Sequence, residues 1–258
     1  MSAIVLDVET TGVNPHQDRV IEIAIVDFDT GDTLLHSLCN PEREIPPDIT
    51  ELTGITNDMA LAAPFFHAIA DEAARQITLA DAIVAHNPWF DQRMISAELG
   101  RLGLAVRWPI LICTKRIWDL NEPREQRHLT NAFKRFVSKD GFEGAHGALA
   151  DTTACRQVLL AQLKEFDLEG KPWNELDPEQ TTWFGPSNHV LWSSGILVVN
   201  FGKHKGRPCH EVERSYWEWI RSQEFPEHIM VLADYMSVVA PADLDADRLA
   251  TWAYGRVP

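Results

Sequence analysis

An α/β fold, a mixed sheet with helices packed on its faces, is the architecture this sequence predicts, and three observations carry it. The chain opens with strand-length apolar runs near residues 3–9, 20–28 and 33–39. Asp29-Thr30-Gly31-Asp32 places a hairpin turn between the second and third runs. Farther along, helical patterns near 64–79 and 88–102 alternate with short strands near 82–85 and 109–112. Such an order buries best as one mixed sheet covered by helices.

The first strand, Ala3-Ile4-Val5-Leu6, runs into Asp7-Val8-Glu9-Thr10-Thr11-Gly12. Strand residues two apart point the same way, so Asp7 and Glu9 share one face at a strand end. Two carboxylates in an apolar strand are costly unless solvated, paired or metal-bound. No Lys or Arg alternates with them, so metal is the leading explanation and a solvated strand end the bland one.

A second acidic island is His86-Asn87-Pro88-Trp89-Phe90-Asp91. Asn87-Pro88 suits a helix start, and Phe90, Met94, Leu99 and Leu102 supply that helix's apolar side. Asp91 lies in the first turn, where an acid complements the helix dipole with or without a metal. Further helices are expected around 114–120, 129–137 and 148–164, the last with Ala154, Val158, Leu159 and Leu163 as core contacts. It opens at the third island, His146-Gly147-Ala148-Leu149-Ala150-Asp151, where Asp151 admits the same dipole reading. Gly144 and Gly147 flank His146 and let backbone approach a ligand closely.

Together the islands offer four acids, a ligand set for hard cations. Two divalent ions about 4 Å apart can activate a water and stabilise attacking and leaving oxygens. Mg²⁺ or Mn²⁺ takes oxygen ligands, so a few carboxylates suffice for two ions. Without metal the acids repel one another, and at least one should titrate high.

The order Asp-x-Glu, His-Asn-x-x-Phe-Asp, His-x-x-x-x-Asp, over residues 3–164, resembles the DnaQ-like 3′→5′ exonucleases with the DEDDh signature. The resemblance implies a ribonuclease H-like fold and a two-metal site in which Asp7, Glu9, Asp91 and Asp151 hold the ions. It also implies that His146 is the general base that deprotonates the attacking water. An imidazole, with an ordinary pKa of about 6.5, suits that task. His86 reads as structural, since the base role is filled. Thr10, Thr11 and Gly12 are candidates to meet the terminal nucleotide. The stretch 45–56 resembles the family segment that packs against the terminal base or sugar, with Leu52 and Ile55 as apolar wedges and Gly54 allowing close approach. An ordinary loop with two core anchors is the alternative there. The implied partner is DNA or RNA with a free 3′ end, DNA preferred. An exoribonuclease of the same chemistry, or a catalytically silent nucleic-acid-binding protein, are the rival readings; the complete set of acids opposes the second.

Composition narrows the setting. Cys39, Cys113, Cys155 and Cys209 are scattered without a CxxC pair, which suggests reduced thiols in the cytoplasm. No signal peptide and no membrane-spanning run is expected. The net charge of −15 looks unsuited to nucleic acid. Residues 107–139, however, concentrate Arg107, Lys115, Arg116, Arg124, Arg127, Lys134, Arg135 and Lys139. They form either a phosphate-tracking face or a solvated helical surface.

The chain is expected to divide into an exonuclease domain over 1–164, an acidic Pro- and Trp-containing linker over 165–194, a small α+β module over 195–240 and a tail over 241–258. Trp173, Trp183 and Trp192 would be unusual in a free linker, so some should anchor it. In the module, Ile196-Leu197-Val198-Val199-Asn200-Phe201 reads as a strand, followed by the basic turn Gly202-Lys203-His204-Lys205-Gly206. Helices are expected over Ser215–Ile220 and Glu227–Met236. Phe201-Gly202-Lys203-His204-Lys205-Gly206 and Tyr216-Trp217-Glu218-Trp219-Ile220 are similar to the C-terminal domain of exodeoxyribonuclease X-type proteins. Lys203 and Lys205 are candidates to grip a nucleic-acid backbone; a core role for the tryptophans, with lysines solvating a turn, is the alternative.

Overall fold

The structure, a computed structural model, describes residues 2–122, 128–177, 184–185, 187–193, 196–239, 245 and 248–249. The chain forms two compact units, Met1–Asp177 and Pro178–Pro258.

In the first unit β1 (Ala3–Thr10), β2 (Val20–Asp27) and β3 (Thr33–Leu38) form an antiparallel meander. Gly31 holds φ 83° in the hairpin between β2 and β3, a conformation cheap only for glycine. Helices α1 (Pro47–Thr53), α2 (Asn57–Ala62) and α3 (Ala70–Leu79) follow. The run expected as one helix over 64–79 is a 3₁₀ turn at Phe66–Ala68 and then α3, and α1 and α2 were not foreseen. Strand β4 (Ala82–Ala85) lies parallel to β1, α4 (Pro88–Arg101) crosses over, and β5 (Ile110–Cys113) lies parallel to β4. Helices α5 (Thr114–Asn121), α6 (Leu129–Phe136) and α7 (Ala148–Glu165) complete the layers. The sheet order is β3-β2-β1-β4-β5.

The pleat of β1 sorts its residues between two cores. Ile4, Leu6 and Val8 pack with Ala73 and Ile77 of α3 and Met94, Ile95 and Leu99 of α4. Ala3 and Val5 pack on the other face with Val84, Ile112, Ile117, and Cys155 and Leu159 of α7. Asp7 and Glu9 continue that second row, so strand alternation aims both toward the α7 side.

Residues 165–177 pack as part of the first unit. Leu168 and Leu176, the latter in α8 (Trp173–Leu176), are buried against the Ile112–Ile117 cluster. The Trp173 ring meets Phe28 edge-on at 5.4 Å. Arg116 grips Asp177 through two guanidinium nitrogens. In the second unit β6 (Val190–Ser193) pairs antiparallel with β7 (Ile196–Val199), and α9 (Arg214–Arg221) packs on α10 (Glu227–Val238). Its core gathers Val190, Leu197, Val199, Trp217, Ile220, Ile229, Leu232 and Leu249. The strand partner of β7 thus comes from residues whose composition read as linker; Trp192 packs against this core, and Trp183 lies outside the described residues. Of the tail over 241–258, only Asp245, Arg248 and Leu249 are described. Among the described residues no helix is long and apolar enough to cross a membrane.

Candidate active site

The carboxylates of Asp7, Glu9 and Asp151 converge, one oxygen from each lying within 4.8 Å of the others. Strand β1 supplies the first two, and the opening turn of α7 the third. Asp91 joins from the first turn of α4, where its Oδ1 accepts the backbone N–H of Val8 at 3.1 Å. It is 5% exposed. This bond crosses from helix to strand, so Asp91 does more than complement its own helix dipole.

Burial raises all four carboxyls, and neighbouring acids add to it at Asp7, Glu9 and Asp151. Burial, and then the charges of Asp91, Glu9, Asp151 and Glu22, hold the Asp7 carboxyl well above the usual range. Burial and the charges of Asp151, Glu22 and Asp91 push Glu9 up to about 8. Burial raises Asp91 to about 7 against the opposing N–H groups of Val8 and its own backbone. Burial raises Asp151 to about 6, opposed by the His146 imidazole and by the nearby His146 backbone N–H. Asp151 Oδ1 is buried and finds no hydrogen-bond partner among the described residues. Four crowded acids with one orphaned oxygen fit divalent cations, which prefer oxygen ligands and supply the missing positive charge.

His146 lies on an exposed loop with φ 65°. A non-glycine residue held there is strained, and such strain gathers at functional sites. Gly144 at φ 76° and Gly147 flank it. A Cβ on Gly147 would come within 3.2 Å of the Gly144 carbonyl oxygen. The glycines therefore permit a tight turn that sets His146 beside Asp151. His86 is elsewhere engaged, its Nδ1 bonded to Thr114 Oγ1 at 2.7 Å.

The residues expected at a terminal nucleotide are placed unequally. The Thr10 hydroxyl donates to the Gly12 carbonyl at 2.6 Å and Thr11 Oγ1 bonds Asp18 at 3.3 Å, so both lock the turn from within. A Cβ on Gly12 would fall 2.4 Å from Asp18 Oδ2, so any larger residue would displace the carboxylate that Thr11 and the Asn14 N–H bond. Leu52 is 50% exposed, but Ile55 is 3% exposed and packs with Ile21, Ile45 and Ala60. Ile55 is thus a core anchor and offers no wedge to a ligand. Gly54, at φ 73°, caps α1 by donating to the Thr50 carbonyl.

In the second unit Lys203 Nζ sits 5.6 Å from the Tyr216 ring centroid, Lys205 is exposed, and Trp217 is fully buried while Trp219 is 46% exposed. Of the basic stretch 107–139, Arg116 pairs with Asp177 and Arg135 with Glu122 and Glu165. These two arginines hold the fold, and Arg124 and Arg127 lie outside the described residues.

One residue of the site went unread. Glu22 of β2 faces Glu9 across the antiparallel ladder, is 8% exposed, and bonds both α7 and β3. Its signal was an acid within the otherwise apolar run Val20-Ile21-Glu22-Ile23-Ala24-Ile25-Val26, a pattern that a strand-end explanation cannot cover.

Comparison with known proteins agrees with this geometry. The exonuclease family RNase_T matches residues 4–159. The DNA polymerase III subunit epsilon of Treponema pallidum (strain Nichols) is 40% identical over 165 residues, covering 61% of this chain and 74% of that protein. A solved exonuclease X in complex with 5′ overhanging duplex DNA superposes with TM-score 0.52 at 21% identity, over 67% of this chain and 98% of that one. Escherichia coli exonuclease I in complex with a dA16 oligonucleotide gives TM-score 0.55 at 21% identity, over 65% of this chain and 42% of that one. At such identities the structural likeness is one of fold, and membership rests on the family match and the epsilon relative. The chain belongs to the exonuclease family and is a DnaQ-like 3′→5′ exonuclease.

Proposed function

We propose that this exonuclease acts on DNA, releasing nucleoside 5′-monophosphates from the 3′ end, with Asp7, Glu9, Asp91 and Asp151 holding two divalent cations, Mg²⁺ or Mn²⁺. The observation that carries the reading is the convergence of Asp7, Glu9 and Asp151 with an orphaned Asp151 oxygen and with Asp91 tied alongside by Val8. When bound, such cations neutralise the phosphate and stabilise the attacking and leaving oxygens. His146 takes the proton of the attacking water. Its strained, glycine-flanked loop presents the imidazole beside Asp151, the geometry a general base needs before its basicity matters. The turn locked by Thr10, Thr11 and Gly12, together with exposed Leu52 above the Gly54 cap, receives the terminal nucleotide. Lys203 and Lys205 serve as accessory phosphate contacts.

DNA is favoured because the epsilon relative is a DNA polymerase subunit and the structural neighbours are DNA complexes. Four buried free cysteines suit a cytoplasmic setting. The test is digestion of end-labelled single-stranded DNA, duplex DNA and RNA with Mg²⁺, Mn²⁺ or excess EDTA. Shortening of DNA from the 3′ end with mononucleotide release, abolished by EDTA, is expected. Turnover undiminished in EDTA, or confined to RNA, would overturn the metal or the substrate assignment respectively.

A further inference from the structure

We propose that Glu22 is a positioning residue of the exonuclease site, the clamp that sets the start of α7, and with it Asp151 and His146, against Asp7 and Glu9. The inference rests on the roles proposed above for Asp151 and His146.

Glu22 stands where a carboxylate is expensive. Its strand neighbours are buried and apolar, and its cross-strand partner is another acid, Glu9. Like charges opposite each other on a sheet are destabilising, so a fold that keeps this pair has a compensating use for it. Both oxygens of Glu22 are engaged. Oε2 accepts the backbone N–H of Ala148 at 2.9 Å in a buried bond across 126 residues. Oε1 bonds His36 Nε2 of β3 at 2.7 Å. His36 therefore holds the carboxylate from the solvent side while Ala148 receives it on the other.

Ala148 is the first residue of α7. Its N–H is one of the orphan donors of a helix start, and Gly147, the cap residue, has no side chain to satisfy any of them. Glu22 supplies that acceptor from a different element, and its charge favours the positive end of the helix. The anchored point is well chosen. Asp151 lies one turn ahead of it, and His146 two residues behind on a loop whose flanking glycines provide no stiffness. Movement of Ala148 thus displaces a metal-binding acid and the base together. The distance that matters, from Asp151 to the two acids of β1, is set by a bond from β2.

The acceptor oxygen, rather than the charge, does the positioning, and this makes the proposal testable with two substitutions. Glu22→Ala removes the clamp, and Glu22→Gln keeps an oxygen toward Ala148. A group bonded directly to a metal ligand typically contributes about 10–100-fold in metal affinity or activity; Glu22 acts through the backbone of α7 instead, so the lower end, about 10-fold, is expected. Full-length Glu22→Ala should bind Mn²⁺ about that much more weakly by titration calorimetry and lose a similar factor in single-turnover rate at saturating Mn²⁺. Glu22→Gln should recover most of both. His36→Ala should give a smaller loss, since it frees only one of the two oxygens.

A residue serving stability alone would lower the melting temperature and leave Mn²⁺ affinity and the saturated rate of the folded enzyme unchanged. That result overturns the proposal, as does Glu22→Gln behaving like Glu22→Ala. If Glu22→Ala does not fold, Glu22→Gln and His36→Ala decide: near-wild-type affinity in the first with a partial loss in the second supports the clamp, and any other pair of results rejects it. Metal affinity is read without substrate, so a wild-type enzyme idle on every nucleic acid would sink the functional reading and leave this comparison standing.

Discussion

Asp91 Oδ1 accepts the backbone N–H of Val8 at 3.1 Å, joining the first turn of α4 to the middle of β1 across 83 residues. A single carboxylate therefore serves two ends, a crowded acidic site and the seam between helix and sheet. Removing it should be felt in both. Asp91→Ala leaves a buried N–H unsatisfied, which costs about 1–3 kcal/mol beyond any packing loss. Asp91→Asn keeps an acceptor and deletes a buried charge. We expect both variants to be inactive, with only the alanine variant clearly less stable in urea unfolding of the metal-free protein. Equal destabilisation of the two would show that the Val8 bond contributes little.

The base role proposed for His146 predicts that proton transfer and metal binding can be separated. A general base typically contributes about 10²–10⁴-fold, so His146→Ala should lose that factor in single-turnover rate and retain Mn²⁺ binding. His146→Gly should be equally slow and somewhat more stable than His146→Ala, because glycine accepts φ 65° without penalty. A near-wild-type rate in either variant would move the base elsewhere, with His86 the first replacement to test.

Stability of the metal-free protein should fall as pH rises. The native Asp151, Asp91 and Glu9 titrate near 6, 7 and 8, and Asp7 is also raised, whereas unfolded carboxyls titrate near 4. Raised acids bind more protons when folded. Their contribution is thus fully present below the unfolded value and is lost as pH climbs through the folded ones. In EDTA, the melting temperature should decline between about pH 4 and pH 8, with added Mn²⁺ restoring most at the alkaline end. A flat or rising profile in EDTA would contradict this picture of the cluster.

The boundary of the first unit can be tested by truncation. A chain ending after Asp177 keeps Leu168, Trp173, Leu176 and the Arg116–Asp177 pair, and one ending after Lys164 loses them all. Each buried apolar side chain is worth about 1.5–3 kcal/mol, so the shorter chain should be several kcal/mol less stable or fail to fold. Comparable unfolding midpoints for the two would return residues 165–177 to the role of linker.

Legibility followed the range of the interaction. Strands β1, β2 and β3, and helices α4 and α7, could be read within a residue or two because each carries its own apolar period and turn chemistry. The helices α1 and α2 escaped because they are short, and Ile49 and Ala60, with Ile55 between the two helices, pack inward against Ile21 and Ile45 of other segments. Of the two readings open for Ile55, wedge or core anchor, the same burial favours the anchor. Likewise, Trp173 and Leu176 sit among acids and prolines, and their burial depends on Phe28 and Ile112, far away in sequence.

The sequence by itself determined where these acids stand locally: a strand places Asp7 and Glu9 on one face, and helix starts place Asp91 and Asp151 in first turns. Those are local geometries, decided by backbone period alone. Only the tertiary structure decided how the four acids meet, that Asp91 is tied to Val8, and that Glu22, an acid without a local motif, holds the start of α7. Each of these depends on backbone groups brought together across 83 or 126 residues. Hydrogen-bond partners at such separation leave no periodicity to read, because the register of the folded sheet and helices, rather than the spacing along the chain, selects them.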